Sequence, residues 1–260
     1  MVAGPNAGDR RKGGPRMTAR DPIDIWRRPE RSGVGPKPQH SRGQIAAAAI
    51  DIADRDGLAA VSVRRVARDM GTGPASLYRY LRSHDELIEL MVDTVSGEYD
   101  LGPSGETPRD QLLALARQGR SIMHRHPWLA ALLLTRPSMG PSTLRYLESA
   151  LTAMESIDLP GPSKLQTVAM LTALTSAFVQ NELSQPGNSG AANGAASERV
   201  EYLSEAVRSG NYPRLASAFS GGNEPETPDD MFNGIIVGYL AGVGLRQLPQ
   251  ETPGAGEIQA

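Results

Sequence analysis

The sequence of 260 residues contains no cysteine, which excludes a disulfide framework and a thiolate metal site. It also lacks any run of about 18 apolar residues, so we predict no transmembrane helix and no membrane partner. The N-terminal segment is charged and rich in proline and glycine, which argues against a secretory signal and for a cytoplasmic protein. Alternation of β-branched residues is nearly absent, whereas Ala and Leu are abundant, and this pattern predicts an all-α fold.

Lysine is scarce as well, and the net charge of −2 hides an uneven distribution of basic residues. Residues 1–42 carry ten basic and four acidic side chains, so the rest of the chain is acidic. Because residues 1–38 are poor in hydrophobic side chains, we predict a disordered basic arm in which only Ile25 and Trp26 dock locally. Such an arm can contact DNA phosphates or the minor groove. The alternative is a solvated tail whose arginines reflect genomic base composition.

Residues 63–81 are the most informative segment, because their apolar pattern divides them into two short helices. One face of the first helix is apolar at i, i+3, i+4 and i+7, namely Val63, Val66, Ala67 and Met70. Gly71 ends this helix at a position that favours positive φ. The second helix is predicted over residues 74–81, with Leu77 and Leu81 turned inward. Two helices joined in this way form a helix-turn-helix, whose second helix enters the major groove of DNA.

Hydroxyl side chains mark the helix starts on both sides of this pair. Ser41 and Ser83 each precede a Gln or Glu by three positions, which is the spacing of a capping box. Ser62 is predicted to be the N-cap of the first helix of the pair. We therefore predict a DNA-binding unit over residues 39–84, followed directly by a further helix.

The segment 45–91 resembles, without a gap, the N-terminal domain of TetR-type transcriptional regulators. The positions that carry the resemblance are Gly57-Leu58, Ser62, Ala67, Gly71, Ser76-Leu77-Tyr78 and Asp85-Glu86-Leu87. Two later segments are similar to a ligand-binding subgroup of the family, His126-Pro127-Trp128 and Asp230-Met231-Phe232. The resemblance implies a three-helix reading domain joined to a larger helical domain that binds a ligand and dimerises.

The resemblance also implies DNA contacts from residues around the turn. The expected contacts are Arg42, Ser62, Arg64, Thr72, Gly73, Pro74, Ala75, Ser76, Tyr78, Arg79, Tyr80 and His84. Arg79 is the best candidate for reading a base, because a guanidinium pairs with O6 and N7 of guanine. We expect Tyr80 on the outer face and Tyr78 between the outer and inner faces, the alternative being that both rings only pack.

Two of these positions depart from the family pattern. Tyr80 stands where many members have histidine, so the DNA sequence that they recognise does not transfer to this chain. His84 stands where a phosphate-binding lysine is common. Because histidine gains charge as the pH falls through its ordinary titration range, we expect acidification from about pH 8 to about pH 6 to tighten DNA binding. His84→Ala would remove that dependence.

Residues 85–248 are predicted to form the effector-binding and dimerisation domain, with a flexible loop at 185–197 and a disordered tail at 249–260. The helix predicted at 163–183 is apolar almost all round, and the last helix, which we expect to reach about residue 247, carries glycines one turn apart. Each glycine costs about 1 kcal/mol relative to alanine, which close helix packing would offset. The interface expected for a TetR-like homodimer is Leu171, Phe178, Gly234, Ile235, Gly238, Tyr239 and Gly242. The alternative is packing within one chain only.

A TetR-like domain of this kind encloses a small ligand between its helices. The expected lining is Met91, Val95, Met123, Trp128, Leu132, Tyr146, Met154, Met170, Leu174 and Phe178, with Asn181 and Gln180 as polar anchors. Methionine-rich walls adapt to irregular apolar ligands, so we expect a mostly apolar or aromatic effector. The alternative for each of these residues is a place in an ordinary core.

Catalytic and metal-binding patterns are not found in the sequence, so we expect no enzymatic activity, no cofactor and no metal. His124 and His126 point to different faces of a helix and have no third ligand nearby in sequence, so the end of a helix explains them better than a metal site. The prediction is a homodimeric, ligand-responsive regulator, most simply a repressor, that binds a near-palindromic operator. The alternatives are an architectural DNA-binding protein with little sequence preference and a small-molecule carrier with a vestigial DNA-reading motif.

Overall fold

A computed structural model describes residues 21–30, 40–102, 105–136, 138–184, 193–220 and 227–245. Within these ranges the regular secondary structure is entirely helical, which confirms the all-α prediction, and no helix is long and apolar enough to cross a membrane. The helices are α1 (Asp24–Arg27), α2 (Arg42–Asp56), α3 (Val63–Asp69), α4 (Pro74–Leu77), α5 (His84–Ser96), α6 (Pro108–Arg125), α7 (Pro127–Leu133), α8 (Pro141–Ala153), α9 (Gly161–Leu183), α10 (Asn193–Arg208), α11 (Pro213–Ser220) and α12 (Pro228–Gly242).

The short helix α1 docks against α2 and α5. Ile25 is fully buried, and the indole Nε1 of Trp26 donates to Glu89 Oε1 at 2.9 Å. Arg28 pairs with the buried carboxylate of Glu86 at 2.5 Å. The expected local docking of Ile25 and Trp26 is confirmed.

The prediction of disorder over residues 1–38 is wrong for residues 21–30, which form α1 and its flanks. The segment has few hydrophobic side chains, but it is held by one buried isoleucine, two side-chain bonds to α5 and two bonds from the Arg42 guanidinium. The rest of the predicted arm and the predicted tail at 249–260 lie outside the described residues.

The DNA-binding unit forms as its capping residues predict. The side chains of Ser41 and Gln44 make the reciprocal bonds of a capping box at the start of α2. Ser62 Oγ accepts from the backbone N–H of Arg65 at 3.2 Å and so caps α3. Gly71 has a φ of 67°, as expected for the residue that turns the chain from α3 towards α4.

The second helix of the motif is shorter than predicted, because α4 ends at Leu77 rather than at residue 81. After Leu77 the backbone tightens: the N–H of Arg79 bonds to Ser76 O at 3.4 Å, and that of Tyr80 to Leu77 O at 2.9 Å. These i to i−3 bonds belong to a 3₁₀-type turn, which has about three residues per turn instead of 3.6. Leu77 and Leu81 are nevertheless both fully buried, as predicted.

The helix α5 leaves the DNA-binding unit without a linker. Ser83 Oγ caps it by accepting from the N–H of Glu86 at 3.1 Å. The predicted capping box is wrong in its second half, because the Glu86 carboxylate accepts from the backbone N–H of Arg82 at 2.7 Å and from Arg28. Glu86 therefore ties α1 to the start of α5.

Two hydrophobic clusters organise the rest of the molecule. The first contains buried residues of α2, α3, α4, α5, α6, α7 and α9, so it is shared by the DNA-binding unit and the regulatory helices. The second lies between α6, α8, α9 and α12. Tyr99, just after α5, packs against both clusters.

The last three helices differ in part from the prediction. α10 begins at Asn193, inside the predicted loop at 185–197. α12 ends at Gly242 rather than near 247, because Gly244 adopts a φ of 97° and the N–H of Leu245 bonds back to Leu240 O at 2.9 Å.

Candidate DNA-binding surface, regulatory core and interface

The outer face of the helix-turn-helix consists of small, polar and cationic side chains. Arg64, on the first turn of α3, is exposed, and so is Arg79, just after α4. Around the turn, Gly73, Pro74 and Ala75 are exposed, whereas Thr72 and Ser76 are partly buried. Ser62, at the N-cap of α3, is exposed as well. Arg82 is also exposed but is missing from the predicted DNA contacts. Its position next to the N-cap Ser83 could have indicated it from the sequence.

The two tyrosines exchange the roles that the sequence predicts for them. Tyr78 is 53% exposed, whereas Tyr80 packs against the hydrophobic cluster below it. The hydroxyl of Tyr80 accepts a hydrogen bond from the backbone N–H of His40 at 3.3 Å. The 3₁₀-type turn after Leu77 explains the exchange, because it rotates residues 78–80 relative to an α-helix. Tyr78 therefore points outward, and the alternative of packing describes Tyr80.

Arg42 and His84, two further predicted DNA contacts, bond within the protein. The Arg42 guanidinium donates to Ile25 O at 2.8 Å and to Arg28 O at 3.1 Å, so it fastens α1 to the start of α2. His84 is exposed, and its Nε2 lies 3.1 Å from Val61 O. Because a carbonyl oxygen only accepts, Nε2 carries a hydrogen in this arrangement.

The predicted effector-lining residues are divided between the two hydrophobic clusters. Met91, Val95, Met123, Trp128 and Leu132 belong to the first cluster. Tyr146, Met154, Leu174 and Phe178 belong to or pack against the second cluster.

Met170 and Asn181 differ from the prediction, because Met170 is 43% exposed and Asn181 is exposed as well. Both lie on the outward side of α9. Because this helix is apolar nearly all round, periodicity could not distinguish its outward side from its inward side. Two surface clefts of about 540 Å³ each are lined by other residues, such as Arg120 and Asp229 in one and Asp85 and Glu89 in the other.

Polar groups lie buried where the two clusters meet. The rings of Tyr99 and Tyr146 are 4.7 Å apart, and the Tyr146 hydroxyl is 3.3 Å from Thr172 Oγ1. Burial raises the pKa of Tyr99 well above its ordinary value, with Tyr146 adding to the effect, and burial also raises the pKa of Tyr146. On α9, Ser176 Oγ is buried and has no hydrogen-bond partner among the described residues. The sequence pattern indicated Tyr146 but gave no signal for Tyr99, Thr172 or Ser176.

The predicted interface residues fall into two groups. Leu171 is 1% exposed in the second cluster, Phe178 packs edge-on against Phe232 at 5.2 Å, and the Tyr239 hydroxyl donates to Thr167 O at 3.3 Å. All three residues therefore make contacts within the chain, and Leu171 is the fully buried one.

The other group faces outward. Ile235 is 41% exposed, and Gly234, Gly238 and Gly242 are exposed beside it. A Cβ added at any of these glycines would meet no other atom of the described residues within 4 Å. On the neighbouring α9, Leu165 and Met170 are 48% and 43% exposed. We call this surface of α9 and α12 the apolar face.

Comparison with known proteins identifies the family. Residues 45–91 match the model of bacterial regulatory proteins of the tetR family, and residues 101–243 match the tetracyclin repressor-like C-terminal domain. The chain belongs to the TetR family of bacterial transcriptional regulators, and the family is regulatory rather than catalytic.

Individual relatives agree with this assignment. The transcriptional repressor DrrR1 of Streptomyces coeruleorubidus is 35% identical over 202 residues, which are 75% of this chain and 73% of DrrR1. An HTH-type transcriptional regulator of Saccharopolyspora erythraea is 30% identical over 86% of this chain and 94% of its own length. The Streptomyces coelicolor TetR family protein ActR, in complex with (S)-DNPA, superposes with a TM-score of 0.62 at 26% identity, covering 81% of this chain and all of that chain.

Proposed function

We propose that this chain is a repressor that binds a near-palindromic operator as a homodimer and is released by a small, mostly apolar effector. Each protomer would place α4 and the following turn in a major groove, and the two grooves would lie about one DNA turn apart, roughly 34–36 Å. The relative DrrR1 is named a transcriptional repressor, which supports repression rather than activation.

The exposed surface of the helix-turn-helix is the observation that carries this proposal. Tyr78 and Arg79, at the end of the reading helix, are exposed, and so are Arg64 on α3 and Arg82 just before α5. Arginine at the reading position supplies base recognition, while the flanking cations and the tyrosine hydroxyl supply phosphate contacts. The intact reading surface favours a sequence-specific regulator over a carrier with a vestigial motif.

The apolar face supports the homodimer. Glycine in the middle of a helix costs about 1 kcal/mol relative to alanine, so three glycines on α12 need compensation. Packing within the chain does not supply it, because no described atom approaches the three glycines on their outer side. A second copy packed against this face would bring two backbones close together and cover Leu165, Met170 and Ile235. We therefore place α9 and α12 of each protomer in a four-helix interface.

The effector site is proposed at the junction of the two hydrophobic clusters. Apolar side chains surround it, and Tyr99, Tyr146, Thr172 and Ser176 supply the polar groups that would orient a ligand. A site of this composition suits a mostly apolar molecule with a few hydrogen-bonding groups. The complex of ActR with (S)-DNPA supports a small-molecule effector in a related fold.

Release would follow from the direct connection between this junction and the reading unit. Tyr99 lies just beyond α5, and α5 begins at His84 beside the helix-turn-helix. A ligand that displaces α5 changes the spacing of the two reading helices. It needs to bind the released form about 10⁴-fold more tightly to convert a 1:99 population into 99:1.

Selection of bound fragments from the source genome tests the proposal. The purified protein is incubated with sheared genomic DNA at near-physiological salt, and Arg79→Ala is carried through the same protocol. Enrichment of a few sites that share an inverted repeat, lost with Arg79→Ala, is the expected result. Enrichment in proportion to fragment length, unchanged by Arg79→Ala, would favour an architectural protein. No enrichment at all, even with cell extract added, would favour a carrier.

A further inference from the structure

His126 is held between two carboxylates that come from different parts of the molecule. Its Nδ1 lies 2.9 Å from both carboxylate oxygens of Asp54, in the last turn of α2. Its Nε2 lies 2.9 Å from Glu98 Oε1, just after α5. The residue is 8% exposed and forms the joint between α6 and α7. One imidazole therefore connects the DNA-binding unit with two elements of the regulatory domain.

The hydrogen-bonding pattern requires a charged ring. A carboxylate only accepts hydrogen bonds, and a neutral imidazole carries a hydrogen on only one of its nitrogens. Two carboxylates at 2.9 Å on opposite nitrogens are therefore both satisfied only by the imidazolium. Hydrogen bonds between two charged groups are among the stronger ones in proteins.

The other groups around the ring support the same charge state. Trp128, on α7, donates from Nε1 to Asp54 Oδ1 at 2.6 Å, and Arg125, on α6, pairs with Glu98 at 2.5 Å. Burial tends to raise the pKa of Glu98, but the hydrogen bonds from Arg125 and His126 outweigh it and lower that pKa. Glu98 is thus an ionised partner of His126, and Arg125 is the one further cation among the described ion pairs of this cluster.

The cluster sits where a change in the regulatory domain would reach the reading unit. Asp54 belongs to α2, which packs against α3 of the helix-turn-helix and also against α5 and α7. His126, at the N-cap of α7, and Trp128, on α7, both hydrogen-bond to the Asp54 carboxylate on α2. A shift of α7 therefore moves α2 unless these hydrogen bonds break.

We propose that His126, in its protonated form, is a positioning residue that latches the DNA-binding unit to the regulatory domain. The latch fixes the angle at which each protomer presents its reading helix. A protein already held in the binding geometry loses less conformational freedom when it binds, so the closed latch strengthens operator binding. If the imidazole is removed, Asp54 and Glu98 lose the partner that joins them, and the latch loosens. This inference rests on the proposed function, whose failure is distinguishable below.

The latch can be observed without DNA. The chain has two tryptophans, so Trp26→Phe leaves Trp128 as the only indole, and Trp128 bonds to the latch carboxylate. The expected result is a shift in its fluorescence emission when His126→Gln is added, because the Asp54 carboxylate that Trp128 bonds to loses its other partner. The matched control is His124→Gln, because His124 pairs with Glu182 on α9 at 2.9 Å, away from the DNA-binding unit. This variant should leave the emission unchanged.

Operator binding then tests the positioning role. With an operator obtained from genomic selection, His126→Gln should lower the affinity about tenfold, the size of one charged hydrogen bond partly lost. Asp54→Asn keeps an acceptor for Trp128 and should weaken operator binding to the same extent. Agreement between the two variants would show that the loss does not come from a folding defect specific to His126→Gln. The His124→Gln variant should follow the wild type.

The outcomes separate the latch from the proposed function. Trp128 fluorescence that is unchanged by His126→Gln overturns the latch, and so does wild-type operator affinity in that variant. If genomic selection yields no operator, the proposed function fails and the positioning role with it, while the fluorescence comparison still shows whether the latch exists.

Discussion

Two exposed surfaces of this chain differ in chemistry, and the difference indicates what each one binds. The reading surface of the helix-turn-helix presents Arg79, Arg64 and Tyr78 above a fully buried core. The apolar face presents Ile235 and Gly238 with their neighbours on α9 and α12. Cations and a hydroxyl can exchange water for phosphate oxygens, whereas apolar groups and bare backbone gain only by close packing. The first surface therefore suits a polyanion and the second suits another protein surface.

Filling the apolar face should have the largest effect. Gly238→Arg leaves the protomer undisturbed, because nothing described lies within 4 Å of the added Cβ, but it blocks the approach of a second copy. We expect monomers in sedimentation and a loss of operator affinity of about 100-fold or more, since two linked half-site contacts become one. The control is Leu144→Arg, an exposed apolar residue on α8 outside the face. Equal losses in both variants would contradict the assignment of the face.

A smaller change at the same position gives a second test, in which the two models predict opposite changes in stability. On an exposed helix surface, Gly238→Ala should raise stability by about 1 kcal/mol, because alanine is the better helix former. In an interface that brings two backbones together, the added methyl group should instead lower the temperature of unfolding and weaken the dimer. Thermal unfolding at several protein concentrations distinguishes the two cases, and stabilisation at every concentration would argue for a monomer.

On the reading surface, Arg79→Ala should lower operator affinity by about 5- to 150-fold, corresponding to about 1–3 kcal/mol for a guanidinium pair with guanine. The loss should be confined to specific sites, so that binding to unrelated DNA changes little. Arg214→Ala removes the same charge from an exposed position on α11 and is the matched control. Unchanged discrimination between operator and unrelated DNA in Arg79→Ala would show that another residue reads the base.

The two tyrosines offer an internal comparison. Tyr78→Phe should weaken binding to all DNA sequences by a few-fold, because its exposed hydroxyl is placed for a phosphate. Tyr80→Phe should instead cost about 1 kcal/mol of stability, because it removes the acceptor for the N–H of His40. Operator titrations and thermal unfolding of both variants measure this, and the reverse pattern would mean that Tyr80 faces the DNA.

The smallest effect concerns His84. Its ring is exposed beside the helix-turn-helix, so His84→Ala should weaken operator binding about two- to threefold through a lost phosphate contact. This effect should disappear at high salt, since exposed charges are screened. The effect of His126→Gln comes from a buried cluster and should persist at high salt. Operator affinity of His84→Ala that equals the wild type at low salt would exclude His84 from phosphate binding.

The sequence was most informative where structure is local. The N-caps Ser41 and Ser62 and the left-handed Gly71 depend on neighbours three or four residues away, and the structure has them as predicted. The length of α4 was not predictable in this way, because the tight turn after Leu77 interrupts a regular helical pattern. Because of that turn, Tyr78 is exposed and Tyr80 is packed, which is the reverse of the prediction.

The regulatory domain was predicted less well, because its contacts join residues far apart in the chain. Periodicity identified α9 as apolar nearly all round, and for that reason it could not assign Met170 or Leu171 to the outer or the inner side. Asp54 and Glu98 lie 72 and 28 residues from His126 along the chain, so no local pattern indicates their cluster.

The stoichiometry of the protein on its operator tests the central claim most directly. Analytical ultracentrifugation of the wild-type chain with a fluorescent operator fragment gives the mass of the complex, and a fragment with one half of the repeat inverted serves as reference. We predict two protomers on the intact inverted repeat and clearly weaker binding to the altered fragment. One protomer per fragment, or equal binding to both fragments, would contradict a dimeric regulator that reads DNA through α4.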